Sequence, residues 1–136
     1  MIKNIRFGNL YSDFAGQQAK QNHQQKQDLI NKNYNEIYAH EMAHKSAGGA
    51  LAGSIVIEKN ADGIPVGGHV AIKMPSLNPD NPQKTIDEAN IVIRSAMAPG
   101  DPSPQDYKVA AKARQIKAQA QGMLQGDKGK KLNLMA

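Results

Sequence analysis

The sequence has no cysteine and no tryptophan, and only 4% of its residues are aromatic. Without cysteine there is neither a disulfide framework nor a thiolate metal site, so any metal must be held by histidine, aspartate or glutamate. The available histidines are His23, His40, His44 and His69. Bulky rings are scarce and alanine supplies much of the 40% hydrophobic content, so the core of this 136-residue chain must be small. That length bounds the chain at one domain. No apolar run approaches the roughly 18 residues needed to span a bilayer. The start of the chain, Met1 to Gly8, lacks the long apolar stretch and small-residue cleavage site of a secretory signal. The expectation is a cytoplasmic protein, with export without a cleaved signal as the alternative.

The net charge of +5 is uneven. From Tyr107 onward, Lys108, Lys112, Arg114, Lys117, Lys128, Lys130 and Lys131 face the single acid Asp127, so that part carries +6 and residues 1–106 carry −1. A basic end can attract nucleic acid or anionic lipid. No stacking aromatics are interleaved with these charges after Tyr107, which favours a solvated helix face followed by a loose end over a nucleic-acid partner.

Along the chain, residues 1–11 read as an irregular or extended lead, and Ser12-Asp13 can cap a helix. Residues 17–27 are rich in glutamine, lysine and asparagine and have little apolar face, which suits an exposed helix or loose chain. From Leu29 the pattern sharpens: Ile30, Tyr34, Ile37, Glu41 and His44 follow at steps of three or four along one helical face, and Gly48-Gly49 end the helix. The β-branched run Ile55-Val56-Ile57, the turn residues Asn60-Ala61-Asp62-Gly63 and a second strand from Ile64 to Met74 read as a β-hairpin. Pro75 to Pro82 is a loop. Thr85-Ile86-Asp87-Glu88 reads as a capping box opening a helix to about Met97. Ser103-Pro104-Gln105-Asp106 opens another, with a serine cap, a first-turn proline and an acid three residues after the cap, running to about Gln121.

The expected fold is therefore α+β: one long helix, a two-stranded antiparallel hairpin and two further helices. Residues 1–28 form a flexible or extended helical N-terminal segment, 29–121 the domain proper, and 122–136 a basic flexible tail.

The chemistry lies in His40-Glu41-Met42-Ala43-His44. Residues four apart sit one turn apart on a helix face, so two imidazoles can chelate one cation, and zinc is the metal this pattern points to. Glu41 then acts as general base toward a water molecule that the metal activates. A catalytic zinc needs a third protein ligand. His69, in Val66-Gly67-Gly68-His69-Val70, is the leading choice, because two glycines before it suggest close backbone approach and the hairpin can return it toward the motif helix. Asp87, Glu88 and Asp106 fit helix caps better, and Asp101, in an irregular loop, stays open. His23 reads as exposed and idle. Tyr38, Arg94 and Tyr107 are alternatives for stabilising an oxyanion, with no spacing argument to choose among them.

The run from Ile37 to Gly49 around this motif resembles the signature of the SprA-related family of bacterial proteins, read as zinc metallopeptidases. Val66-Gly67-Gly68-His69-Val70, Thr85-Ile86 and the segment from Ala96 to Asp106 extend the resemblance, which covers roughly residues 36–120 in order. The last segment is similar to the family's APAEPS-x-QD stretch. The chain departs from the pattern at His69, where the family has glutamate; both residue types ligate zinc. The resemblance implies a peptidase but no particular substrate; under that reading the expected partner is a peptide or protein substrate, with a membrane span not expected. A non-catalytic, zinc-stabilised binding or regulatory module is the alternative, and a protein working through its basic C-terminal helix is the third reading.

Overall fold

A computed structural model describes residues 7–135, with side chains described for residues 11–126. The order of elements is α1 (Phe7–Gly48), a 3-10 turn (Gly49–Leu51), β1 (Ala52–Lys59), β2 (Pro65–Ile72), α2 (Pro82–Ala96) and α3 (Pro104–Met135). The two strands form an antiparallel sheet, so the fold is α+β, as expected. Among the described residues no helix is long and apolar enough to cross a membrane.

The chain divides into two compact units, Met1–Ile37 with Ile57–Gly67, and Tyr38–Val56 with Gly68–Ala136. In the first unit, α1 already runs from Phe7, ahead of the cap expected at Ser12-Asp13. The glutamine-rich stretch is helical because glutamine, lysine and alanine are good helix formers even without an apolar face. Side-chain pairs one turn apart support it: Gln24 Nε2 donates to Asp28 Oδ1 at 2.9 Å and Gln27 Nε2 to Asn31 Oδ1 at 3.2 Å. Every side chain from Tyr11 to Leu29 is exposed, and Ile30 is the first to be half-buried. Of the irregular or extended lead expected for residues 1–11, residues 7–11 are helical instead, and residues 1–6 lie outside the described residues.

The hairpin tip belongs to the same unit and is built by one side chain. Asn60 Oδ1 accepts the backbone N–H groups of Asp62 at 2.9 Å and Ile64 at 3.0 Å, and Gly63 takes the left-handed φ of +77° that the turn requires. Pro65 opens β2, where its missing N–H interrupts no ladder bond, and its carbonyl accepts from Asn33 Nδ2 at 2.9 Å.

The second unit contains the core. The buried positions of α2 (Pro82, Thr85, Ile86, Ala89, Val92, Ser95, Ala96) recur at steps of three and four, and α2 packs against α3. The α3 side of that contact is made of Ala110, Ala113 and Ala120, all fully buried, and such small side chains let two helices approach closely. The scarcity of large hydrophobic residues is thus met by a tight alanine-lined pair.

Two further helix boundaries differ from the sequence expectation. α2 starts at Pro82 and not at Thr85: Asn81 is the cap, its Oδ1 accepting Lys84 N–H at 3.2 Å, and Pro82 occupies the first position, where a missing N–H costs nothing. Thr85 is instead buried inside the helix. Its hydroxyl donates to Ser76 O at 2.7 Å and accepts Asn78 N–H at 2.9 Å, so it pins the preceding loop. α3 starts as expected at the Ser103 cap but continues past Gln121 to Met135. The alanine and glutamine content carries the helix through Gly122. The tail side chains Lys128, Lys130 and Lys131 lie outside the described side chains.

Candidate metal centre

His40, Glu41 and His44 lie on the last two turns of α1, within the second unit. Their ligand atoms lie within 4.8 Å of one another, a grouping that could hold a metal ion. Helical geometry dictates this, because residues four apart share a face. The imidazole planes cross at 76°, and the two Nε2 atoms stand 3.2 Å apart.

Both rings are held by their other nitrogen. His44 Nδ1 lies 2.7 Å from the backbone carbonyl of Ser95, which can only accept, so Nδ1 carries a proton, and in the neutral ring Nε2 is the nitrogen with the free lone pair. His40 Nδ1 lies 3.1 Å from Asp101 Oδ1, on a 92% exposed side chain, and donates to it in the same way. Pairing the distal nitrogen with a carbonyl or carboxylate is how metal-binding histidines are oriented.

The Ser95 contact is reciprocal. Its Oγ donates at 2.7 Å to the backbone carbonyl of His44, so the last turns of α1 and α2 are clasped together. Gly48 sits beside the clasp. A Cβ added there would meet Ala52 Cβ and Ser95 Oγ at 3.0 Å and Ile72 Cδ1 at 3.2 Å, so a larger residue would crowd the clasp unless these neighbours shifted. The next residue, Gly49, takes a φ of +53° and ends the helix.

A carboxylate completes the cluster. Asp106 Oδ2 is 3.4 Å from His40 Nε2 and 3.2 Å from His44 Nε2. The same oxygen accepts Ser103 N–H at 2.8 Å, while Ser103 Oγ accepts Asp106 N–H at 3.1 Å. The first turn of α3 thus joins the serine cap and the acid three residues after it in a reciprocal capping box, and that acid is turned toward the histidine pair.

The cluster opens into a cavity of about 550 Å³, lined by His40, Glu41, His44, Asp106 and the α3 face bearing Gln105, Lys108, Val109 and Lys112. Gly68, His69, Val70 and Ile72 of β2 form part of the same lining. Glu41 is 6% exposed and His44 5%, so both side chains are largely withdrawn from solvent. His69 is an exposed strand residue on the cavity wall. Among the other residues singled out in the sequence, Tyr38, Arg94 and Tyr107 are exposed and lie outside this lining. Asp87 is paired with Gln83 on the surface of α2, Glu88 accepts Ser76 N–H at 3.4 Å, and His23 is exposed on α1. The meeting of Asp106 with the histidines has no local signal, because its cap role already accounts for its place in the sequence.

The model of the SprA-related family matches residues 11–133, and the chain belongs to that family. No curated protein and no solved structure matches it.

Proposed function

We propose that this member of the SprA-related family is a zinc-dependent hydrolase that cleaves peptide bonds, with Glu41 as its general base. One observation carries the reading: the two imidazole Nε2 atoms stand 3.2 Å apart, beside a buried glutamate. Acceptors converging so closely repel one another unless a cation or proton lies between them, so the residues present fit a metal.

His40 and His44 would hold it. When bound, zinc supplies Lewis acidity that makes water an effective nucleophile at neutral pH. The protein supplies the remainder. Glu41 accepts the proton of the attacking water as the new C–O bond forms. It then returns that proton to the amide nitrogen as the C–N bond breaks. Burial keeps the carboxylate directed into the cavity, and the Asp101 and Ser95 contacts hold both rings so that no reorganisation precedes the reaction. The edge of the hairpin offers main-chain donors and acceptors to an extended peptide.

Glu41→Gln tests this directly. Glutamine is nearly isosteric but cannot take the proton, so zinc content should be unchanged and turnover of a peptide library should fall about 10²–10⁴-fold. His40→Ala and His44→Ala should lose zinc and turnover together. Wild-type turnover that survives Glu41→Gln would refute the mechanism. A zinc-loaded wild type that cleaves no peptide would favour a metal-stabilised binding module.

A further inference from the structure

We propose, on the premise that the site holds a metal, that Asp106 is its third protein ligand, completing a His40–His44–Asp106 set, with His69 on the cavity wall outside it. Zinc bonds of about 2.0–2.2 Å in tetrahedral array separate neighbouring ligand atoms by roughly 3.3–3.5 Å. The three separations here are 3.2 Å between the imidazole nitrogens, 3.4 Å from Asp106 Oδ2 to His40 and 3.2 Å from it to His44. One atom of each side chain thus stands at a corner of a nearly equilateral triangle of the size a metal imposes.

The chemistry of the three corners agrees. The Nδ1 contacts leave both imidazoles with a bare Nε2, so neither ring in that tautomer can donate a hydrogen bond to Asp106. Three acceptors facing one another in that tautomer form a set that a cation at their centre would satisfy. All three residues line the cavity, which is where water and a scissile carbonyl would enter.

Asp106 is firmly placed. Its Oδ2 is fixed by Ser103 N–H at 2.8 Å and its side chain is 16% exposed, while His69 is placed by β2 on the wall of the same cavity. The carboxylate is in position as soon as α3 forms its cap. A metal bound there ties the end of α1 to the start of α3.

The test uses the full chain, with zinc affinity measured by competition against a chromophoric chelator and melting of the metal-free protein followed in parallel. Asp106→Asn keeps an oxygen for the cap but loses the anionic ligand. It should weaken zinc by at least about 100-fold, beyond what loss of an outer-shell partner brings, while the metal-free protein melts close to wild type. Ser103→Ala should lower that melting temperature but keep zinc within about tenfold. His69→Ala should keep one equivalent of zinc within about tenfold. If Asp106→Asn fails to fold, Asp106→Cys still decides the matter: the chain has no other cysteine, so cobalt(II) loading should produce a thiolate-to-cobalt charge-transfer band only if position 106 coordinates. Unchanged affinity in Asp106→Asn with lost affinity in His69→Ala would overturn the assignment while leaving a metal site in place. Equal loss in both would indicate four protein ligands and overturn the three-ligand set. Failure of the wild type to bind zinc would remove the premise and the functional reading with it.

Discussion

Gly48 shows how a single methyl group bears on the site. It adopts ordinary right-handed helical angles, so alanine would gain up to about 1 kcal/mol of helix propensity there. Against that stand three contacts at 3.0–3.2 Å, including one to the Ser95 hydroxyl that is already hydrogen-bonded to His44. Overpacking of this kind costs about 1–3 kcal/mol, and the neighbours here are short side chains with little freedom to move aside. Gly48→Ala should therefore lower the melting temperature by several degrees and weaken metal binding, because the displaced Ser95 is what orients His44. A variant that melts at or above the wild type with full zinc affinity would show that the clasp can yield.

Among the elements, α2 separates the cap that the pattern suggested from the cap that forms. Asn81 is an exposed N-cap, and Asn81→Ala should cost about 1 kcal/mol. Thr85 is fully buried and satisfies a carbonyl and an N–H of the preceding loop. Thr85→Val keeps the shape and strands both groups, at a cost of at least about 2 kcal/mol. Denaturant unfolding should rank Thr85→Val well below Asn81→Ala in stability; the opposite order would return the start of the helix to Thr85. Thr85-x-x-Glu88 fits the capping-box pattern, but a proline at position 82 is equally compatible with a first turn, and burial decides between them.

For the molecule as a whole, the small core implies that metal and fold are coupled. The alanine-lined α2–α3 contact buries little side chain per residue, and the proposed ligands come from α1 and α3. Binding to the folded state alone adds about 2.7 kcal/mol at a free metal concentration 100 times Kd. Protein loaded with zinc should therefore melt several degrees above the same protein treated with chelator. Identical melts on protein confirmed to hold zinc would show a site present in the unfolded chain or one uncoupled from the fold.

What the sequence by itself determined is local and periodic. The four-residue spacing of His40 and His44, the Ser103–Asp106 capping box, the Asn60–Gly63 turn and the β-branched strands each rest on interactions within a few residues, which backbone geometry imposes on any chain. The polar first half of α1 was ambiguous for the same reason: without an apolar stripe, periodicity says nothing of helix or loose chain, and propensity and side-chain pairs decide. Tertiary structure alone brings Ser95 to His44 and Asp101 to His40, across 51 and 61 residues. It likewise turns the cap carboxylate of Asp106 toward both imidazoles and seats β2 with His69 in the cavity wall. These depend on how α2 and α3 pack through small residues, and one aspartate at a cap has the same sequence signature whether or not its outer face meets two histidines.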